Sequence, residues 1–452
     1  MEIKGRSFLV AGMGKSGIAA MRTLVKDGGE VYIYDKKGEA DISDSLKEEI
    51  KGKVSGAYFG RVPESSRRFD CMVISPGVPL DEEIAVYGKT NCGEIMGELE
   101  LAYRLSKGSY IAITGTNGKT TTTTLVGEIM KKSGAETYVV GNIGYPVIDA
   151  AELSSEKGWF VAEVSSFQLE TVRDFAPKVS AILNITPDHL NRHKTMENYA
   201  AAKAEVFRNQ TAADYFVVNR DNPEAYELAK DCPARVVPFS RLVELEEGCF
   251  VKDGKIVIKE KDGEAVELCS VDDIGIPGAH NLENVLAAAA VCSCAGISPE
   301  IIKKAVREFE GVEHRIEFVA EIDGVRYYND SKGTNTDASG KAIDALEKNI
   351  ILLAGGYDKK EDFNPFVASF GGRVKHMYLI GQTAGIIADA CDKNGFTAYT
   401  HMETLKDCVE AARDLAKPGD IVLLSPACAS WGMYNNYEER GADFKNCVKS
   451  FL

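Results

Sequence analysis

The sequence predicts an α/β protein of three domains built on mostly parallel sheets, and three observations carry that prediction. Short β-branched or aromatic runs alternate with longer helix-like segments along the chain, the pattern of βαβ units. Two of these runs lead directly into glycine-rich loops that open helices. A length of 452 residues, 44% of them hydrophobic, corresponds to about three ordinary domains, each with enough apolar material for a core.

Taken in order, strands are expected at residues 7–11, 31–34, 71–75, 110–114, 159–164, 181–185, 215–219, 325–328, 350–354, 376–380 and 421–424. Most end in a polar or glycine-rich cluster, and in open α/β sheets ligands bind beyond the carboxyl ends of strands. One seam falls near residue 97, where the helix-like stretch 97–106 leads into a fresh strand and a new glycine loop. A second falls near residue 311, after another helix. The expected domains are therefore 1–97, 98–311 and 312–452. Between about 236 and 275, runs separated by Asp-Gly turns read as a β-hairpin appendage to the middle domain.

Composition excludes several classes of function. Lys and Arg number 53 against 68 Asp and Glu, a net charge of −15, and no basic stretch tracks a phosphate backbone, so nucleic acid is not an expected partner. Anionic ligands would need local cations or backbone N–H groups to overcome this field. The eleven cysteines are scattered without a CxxC pair, which suits reduced thiols in a cytoplasm rather than a disulfide framework or zinc site. Glycines at 12, 14 and 17 interrupt the apolar run that follows Lys4 and Arg6, so it does not read as an export signal. No stretch has the length of a membrane span.

Two glycine loops carry the chemistry. Gly12-Met13-Gly14-Lys15-Ser16-Gly17 follows an apolar strand, with Asp35 at the end of the next one, where an acid could meet a ribose. Such glycines let a pyrophosphate approach a helix N-terminus, but a plain strand-to-helix turn has the same spacing, and NAD and UDP are not separable by it. The second loop, Thr114-Gly115-Thr116-Asn117-Gly118-Lys119-Thr120-Thr121, is more specific: strand, glycine loop, Gly-Lys-Thr, helix. Its N–H groups can cradle phosphates, Lys119 can meet the β- and γ-oxygens, and the Thr120 hydroxyl can ligate Mg²⁺. Five consecutive threonines, 120–124, open its helix against their propensity, which suits a functional rather than structural choice. Glu163 ends a later strand and His189 lies in a loop after the next; beside a phosphate loop they read as a Mg²⁺ site.

In this combination the chain resembles the Mur ligases, the ATP-dependent amide-forming enzymes of peptidoglycan precursor synthesis. Gly115 to Thr120 is similar to the phosphate loop of that superfamily, shared with folylpolyglutamate synthetase. Ser165-Ser166-Phe167-Gln168-Leu169-Glu170, Asn329-Asp330-Ser331-Lys332 with Thr334-Asn335, and Ser425-Pro426-Ala427-Cys428-Ala429-Ser430 resemble its D-glutamate-adding branch. The resemblance runs over essentially the whole chain. It implies a Rossmann-like N-terminal domain, a central ATPase domain and a Rossmann-like C-terminal domain.

It also implies substrates and sites. The substrates would be UDP-N-acetylmuramoyl-L-alanine, D-glutamate and ATP, and the expected enzyme is a cytoplasmic monomer. Gly14, Lys15, Ser16, Gly17, Asp35 and Lys36, helped by Ser75 and Gly77, would hold the uridine diphosphate, and Asn142 would touch the muramoyl group. Gly115, Thr116, Asn117, Gly118, Lys119, Thr120 and Thr121, with Asn284, Arg315 and Asp330, would bind ATP. Thr120, Glu163, His189 and Lys203 would hold two Mg²⁺ ions, Lys203 as a carbamate formed with CO₂. Lys119, Glu163, His189 and Lys203 are thus the expected catalytic residues. Lys332, Thr334, Lys359, Ser430 and Tyr437 would receive D-glutamate, with Trp431 following the serine. On the bare sequence Lys203 is instead a solvated helix lysine. An ammonium about 4 Å from Mg²⁺ would be repelled by roughly 8 kcal/mol at an effective dielectric near 20, and a carbamate reverses that sign. Alternatives are a sister Mur ligase, a folylpolyglutamate synthetase-like ligase, a non-ligating nucleotide switch, and a nicotinamide oxidoreductase built on the first loop.

Overall fold

Three sheets organise the chain in the computed structural model, which describes every residue except Asp262, Pro277 and Glu347. The first sheet contains β1 (Ser7–Ala11), β2 (Glu30–Asp35), β3 (Gly56–Phe59), β4 (Phe69–Ile74) and β5 (Cys92–Gly97), all parallel, in the order β3-β2-β1-β4-β5. The second contains β6 (Ser109–Thr114), β7 (Thr137–Gly141), β8 (Trp159–Glu163), β9 (Val179–Ile182), β10 (Tyr215–Asn219), β11 (Arg235–Ser240), β12 (Gly248–Lys252), β13 (Lys255–Lys259) and β14 (Ala265–Ser270). Its order is β14-β13-β12-β11-β10-β9-β6-β8-β7. The third contains β15 (Glu317–Ile322), β16 (Val325–Asn329), β17 (Ile350–Gly355), β18 (Val374–Ile380), β19 (Tyr399–His401) and β20 (Ile421–Leu424), in the order β15-β16-β20-β17-β18-β19.

Every strand expected from the sequence is present, within a few residues at its ends. β3, β5, β7, β15 and β19 were not expected, and β11 carries Pro238 in its middle. Correcting the expected hairpin appendage, β12, β13 and β14 form an antiparallel meander continuous with the second sheet, because β12 pairs parallel with β11 through Phe239 and Cys249.

The chain forms two compact units, Met1–Asp273 with Glu283–Arg307, and Ile274–Leu282 with Glu308–Leu452. In the first unit one continuous core runs from Phe8 and Val10 through Met96, Leu99 and Tyr110 to Phe160, Phe175 and Phe216. Burying each such side chain contributes about 1.5–3 kcal/mol. Polar bolts add register. The buried Glu98 carboxylate accepts from Ile148 N–H at 2.7 Å, and the fully buried Glu100 accepts from the N–H groups of Arg173, Asp174 and Phe175 at 2.9–3.1 Å. In the second unit the central strands are buried on both faces. Ile350, Leu352 and Ala354 join one core cluster while Ile351 and Leu353 join the other, which is why β17 reads as an unbroken apolar run.

The order of the second sheet positions its site. The chain passes from β6 out to β7, returns to β8, then crosses to β9 on the other side of β6. That reversal leaves a crevice beyond the carboxyl ends of β6, β8 and β9, the expected place for a ligand in such a sheet.

Candidate active site

Beyond β6 the chain turns through Gly115 and Gly118, both at positive φ (153° and 85°), into the helix Lys119–Lys132. A side chain at Gly118 would run into the Asn284 amide, so only glycine fits there and Asn284 stands directly beside the loop. The loop is strapped down by Asn184, whose Oδ1 accepts from Asn117 N–H at 2.9 Å and whose Nδ2 donates to Asn117 O at 3.1 Å. Thr116 Oγ1 donates to Thr186 O at 3.2 Å and accepts from Thr186 N–H at 3.0 Å. Thr120 to Thr123 are buried; the hydroxyls of Thr121 and Thr123 lack a hydrogen-bond partner, while Thr122 Oγ1 donates to Asn284 Oδ1 at 3.4 Å, so this part of the threonine run is shielded from water.

Two amines converge on this loop. Lys119 Nζ donates to Gly115 O at 2.9 Å and Thr116 O at 2.8 Å, and Lys203 Nζ donates to the same Gly115 O at 2.8 Å. Lys203 is only 1% exposed and lies 4.6 Å from the Tyr199 ring centroid. Burial, then repulsion from Lys119, drives its pKa well below the ordinary lysine value, with Asp188 opposing weakly. The bare reading of a solvated helix lysine is overturned: the last turn of the helix Met196–Ala204 points this side chain inward.

Glu163, at the end of β8, is 2% exposed; its Oε1 accepts from Asn142 Nδ2 at 2.8 Å, while its buried Oε2 has no hydrogen-bond partner. Asn142 also donates its N–H to Glu163 O at 2.9 Å, so the muramoyl candidate is tied to the metal candidate. His189 sits at positive φ (54°) in the loop after β9, with its Nε2 at 3.4 Å from Asp188 and its ring 4.8 Å from that of Phe167. Among the described residues no trio of His, Cys, Asp or Glu ligand atoms that includes Glu163 or His189 lies within 4.8 Å; Glu313, His314 and Glu317 do, with Lys445 paired to both glutamates.

Sequence reasoning missed three side chains here. His193 is buried, its Nε2 2.9 Å from Ser166 Oγ, its Nδ1 3.6 Å from Glu170, and burial lowers its pKa. Glu170 pairs with Arg192 through both oxygens, at 2.5 and 3.3 Å. Their spacing in Leu190–His193 gives no periodic signal; Glu170 closing the Ser165–Glu170 motif was the available hint.

The first glycine loop is built differently. Gly17 would drive a side chain into Gly12 O, and Gly12 (φ 88°) packs on Ser75 and Val78, so these glycines make the turn itself; Gly14 faces open space. Ser75 Oγ donates to Gly12 O at 2.6 Å. Asp35 accepts from the N–H groups of Met13 and Lys37, each at 3.0 Å, which fixes the loop before any ribose is considered. Lys15 and Gly77 are exposed, Ser16 is half-buried, and Lys36 is exposed and paired with Glu82 at 2.8 Å. A groove of about 320 Å³ opens beside Asp35, lined by Met13, Arg22, Lys37, Ser43 and Glu49.

In the second unit, Asp330 follows β16 and is 4% exposed, accepting from Ser425 Oγ at 2.6 Å and Ile316 N–H at 3.3 Å. Burial raises its pKa to about 6, against the pull of Ser425 and Arg315. Arg315 also faces His280, whose pKa falls to about 4, mainly by burial. Lys332 Nζ lies 5.3 Å from the Tyr437 ring centroid and Lys359 Nζ donates to Thr334 O at 3.1 Å, so the structure brings four of the five amino-acid candidates into linked pairs. Buried Ser430 stands on the loop after β20, and exposed Trp431 packs edge-on against Tyr357. The buried Arg440, also unforeseen, donates to Ser331 Oγ and O and to Cys428 O at 2.8–3.1 Å, holding both loops.

Residues 6–97, 113–292 and 314–428 match, respectively, the families described as Mur ligase MurD-like, N-terminal domain; Mur ligase middle domain; and Mur ligase, glutamate ligase domain. A UDP-N-acetylmuramoylalanine–D-glutamate ligase of Thermoanaerobacter sp. (strain X514) is 50% identical over 451 residues, 99% of each chain. The chain belongs to the Mur ligase family. A relative of the same name from Clostridioides difficile (strain 630) is 45% identical over 452 residues, the full length of both. Among solved Mur ligases, the UDP-N-acetylmuramate–alanine ligase MurC of Thermotoga maritima shares the fold at 17% identity and a TM-score of 0.61, covering 99% of this chain and 100% of its own. MurF ligase of Thermotoga maritima, solved with ADP, matches at 15% identity and a TM-score of 0.60, covering 100% of this chain and 97% of its own. The glycine loops, the Ser165–Glu170 motif and the Asp330 cluster described above are thus features of a Mur ligase.

Proposed function

We propose that this Mur ligase joins D-glutamate to UDP-N-acetylmuramoyl-L-alanine with ATP, giving ADP and phosphate, in cytoplasmic peptidoglycan precursor synthesis. The observation that carries this is the 50% identity, over 99% of both chains, to an enzyme named for that reaction. Residues 1–97, 98–311 and 312–452 serve as the UDP-substrate, ATP and amino-acid domains of a monomer. Among the described residues no helix is long and apolar enough to cross a membrane.

The residues at the phosphate loop suit a divalent cation. Glu163 keeps one buried carboxylate oxygen without a hydrogen bond, and the lowered pKa of Lys203 favours the uncharged amine, the form whose nitrogen can attack CO₂ and lose a proton to become a carbamate. Thr120, Glu163, His189 and carbamylated Lys203 would hold two Mg²⁺ ions, which supply charge neutralisation across the phosphates. The chain's own groups do the rest. The N–H groups of residues 115–121 cradle the phosphates, Lys119 leaves its loop carbonyls for the β- and γ-oxygens, and Asn284, Arg315 and Asp330 complete the ATP site.

With the UDP substrate fixed by residues 14–17, Asp35, Lys36, Ser75, Gly77 and Asn142, its carboxylate oxygen attacks the γ-phosphorus and ADP departs, giving an acyl phosphate. D-glutamate, held by Lys332, Thr334, Lys359, Ser430 and Tyr437, attacks the acyl carbon through its free amine. The new C–N bond forms, phosphate leaves with the C–O bond electrons, and the ammonium formed loses its proton. The test is phosphate release from ATP. It should require UDP-N-acetylmuramoyl-L-alanine and D-glutamate together; release that is satisfied by another amino acid or by a folate would assign the chain to a sister ligase.

A further inference from the structure

Arg192 connects several groups near the crevice, and none of the contacts below is to a group that the reaction uses. Its Nη1 donates to Pro76 O at 2.7 Å and its Nη2 reaches Val78 O at 3.5 Å. The same guanidinium holds both oxygens of Glu170, at 2.5 and 3.3 Å, and its carbon stands 4.2 Å from the Phe167 ring centroid. Phe167 in turn packs against His189 and His193, with centroids 4.8 and 5.4 Å away. All these partners lie within one compact unit.

Three loops therefore end on one side chain. The Ser75–Val78 loop packs on the first glycine loop, Ser75 Oγ bonding Gly12 O at 2.6 Å. The Ser165–Glu170 segment continues directly from β8 and Glu163. Residues 189–193 form the short turn that carries His189. Arg192 and Glu170 are both largely shielded, at 14% and 16% side-chain exposure, so this is a desolvated bidentate pair and not a surface ion pair.

We infer that Arg192, braced by Glu170, is a positioning residue that sets the nucleotide-sugar loop of the first sheet against the phosphate and metal loops of the second. Delivery of the substrate carboxylate to the γ-phosphorus depends on that register, since a displacement of about 1 Å in a reacting pair can cost about a hundredfold. The inference rests on the proposed ligase reading, which the wild-type requirement for both substrates tests separately.

The experiment is steady-state kinetics, with thermal melting, on Arg192→Lys, Glu170→Gln and the double variant. Lysine keeps the charge but cannot span the carboxylate and two carbonyls. Arg192→Lys should melt within a few degrees of wild type, lower kcat about tenfold and raise the KM for UDP-N-acetylmuramoyl-L-alanine about tenfold, with the KM for ATP changed by less than about twofold. Glu170→Gln should show the same split at smaller size, and the double variant should be no worse than Arg192→Lys alone. Folded variants in which neither KM moves, in which both rise together, or in which the two substitutions add, would overturn the inference.

Discussion

The two glycine loops of the first unit share a plan, strand then glycines then helix, yet they are stabilised in opposite ways. The Gly12–Gly17 loop is fixed by backbone approach and by a carboxylate, with Asp35 accepting from Met13 and Lys37 N–H groups. The Gly115–Lys119 loop is fixed by Asn184 and gathers two amines on one carbonyl, Gly115 O. A loop closed by an anion presents N–H groups and a helix end to a diphosphate; the second loop offers the Lys119 cation to a triphosphate and sets beside it a buried amine, Lys203, whose charge burial disfavours. In a chain of net charge −15, a local cation with loop N–H groups around it is what an anionic ligand needs.

The largest effects should follow from the amines. Lys119→Ala should lower the ligation rate by roughly 10²–10³, since single contacts to transition-state charge are commonly worth that much, while melting stays close to wild type. A variant keeping more than about a tenth of the rate would place the charge elsewhere. Lys203→Ala should be nearly as inactive and should recover part of its rate with added acetate, which supplies an oxygen ligand. Lys203→Arg should stay inactive with or without acetate, because a guanidinium keeps its charge and takes up no CO₂. Full activity in Lys203→Ala would reduce the second loop to an ordinary phosphate cradle.

The contrast was only partly legible in the sequence. Strands buried on both faces, such as Ile350–Gly355, are written as continuous apolar runs and were read correctly. Strands such as Gly56–Phe59, Cys92–Gly97 and Tyr399–His401 lie at sheet edges, are short or polar, and give no such run. At the site, the phosphate loop announced itself because glycine spacing is local. Lys203 did not, since its burial depends on packing against Tyr199 and a carbonyl 88 residues away. Glu170, Arg192 and His193 act only as a folded cluster, and the residue resemblance flagged one of them without its partners.

A stability measurement sharpens the comparison from the other side. Gly17→Ala should destabilise by about 1–3 kcal/mol, because the added methyl meets the backbone oxygen of Gly12, which cannot move aside without breaking the turn. Gly14→Ala has nothing within 4 Å of the new methyl and an ordinary φ of −80°, so it should cost less than about 1 kcal/mol. If Gly14 instead serves close approach of the diphosphate, the same substitution raises the KM for the UDP substrate while the melting temperature holds. Equal melting losses at the two positions would mean that both glycines serve only the turn.

The smallest effect is a slope. Lys203 has a folded pKa well below the 10.5 of an ordinary lysine, so between those two values the unfolded chain binds a proton that the folded chain does not. Unfolding free energy then rises with pH, by at most about 1.4 kcal/mol per pH unit, and the rise ends near the unfolded value. Below that window's lower edge the folded state protonates too and the slope vanishes. Lys203→Met keeps the buried stem without the amine and should lack this component. In CO₂-free buffer, the stability of wild type relative to Lys203→Met should therefore improve as pH rises toward the ordinary lysine value. A difference that stays flat would mean that the amine remains protonated in the fold, held by Gly115 O and Tyr199 as an ammonium. The second loop would then carry two full positive charges on one carbonyl, and the carbamate proposal would lose its reactive amine.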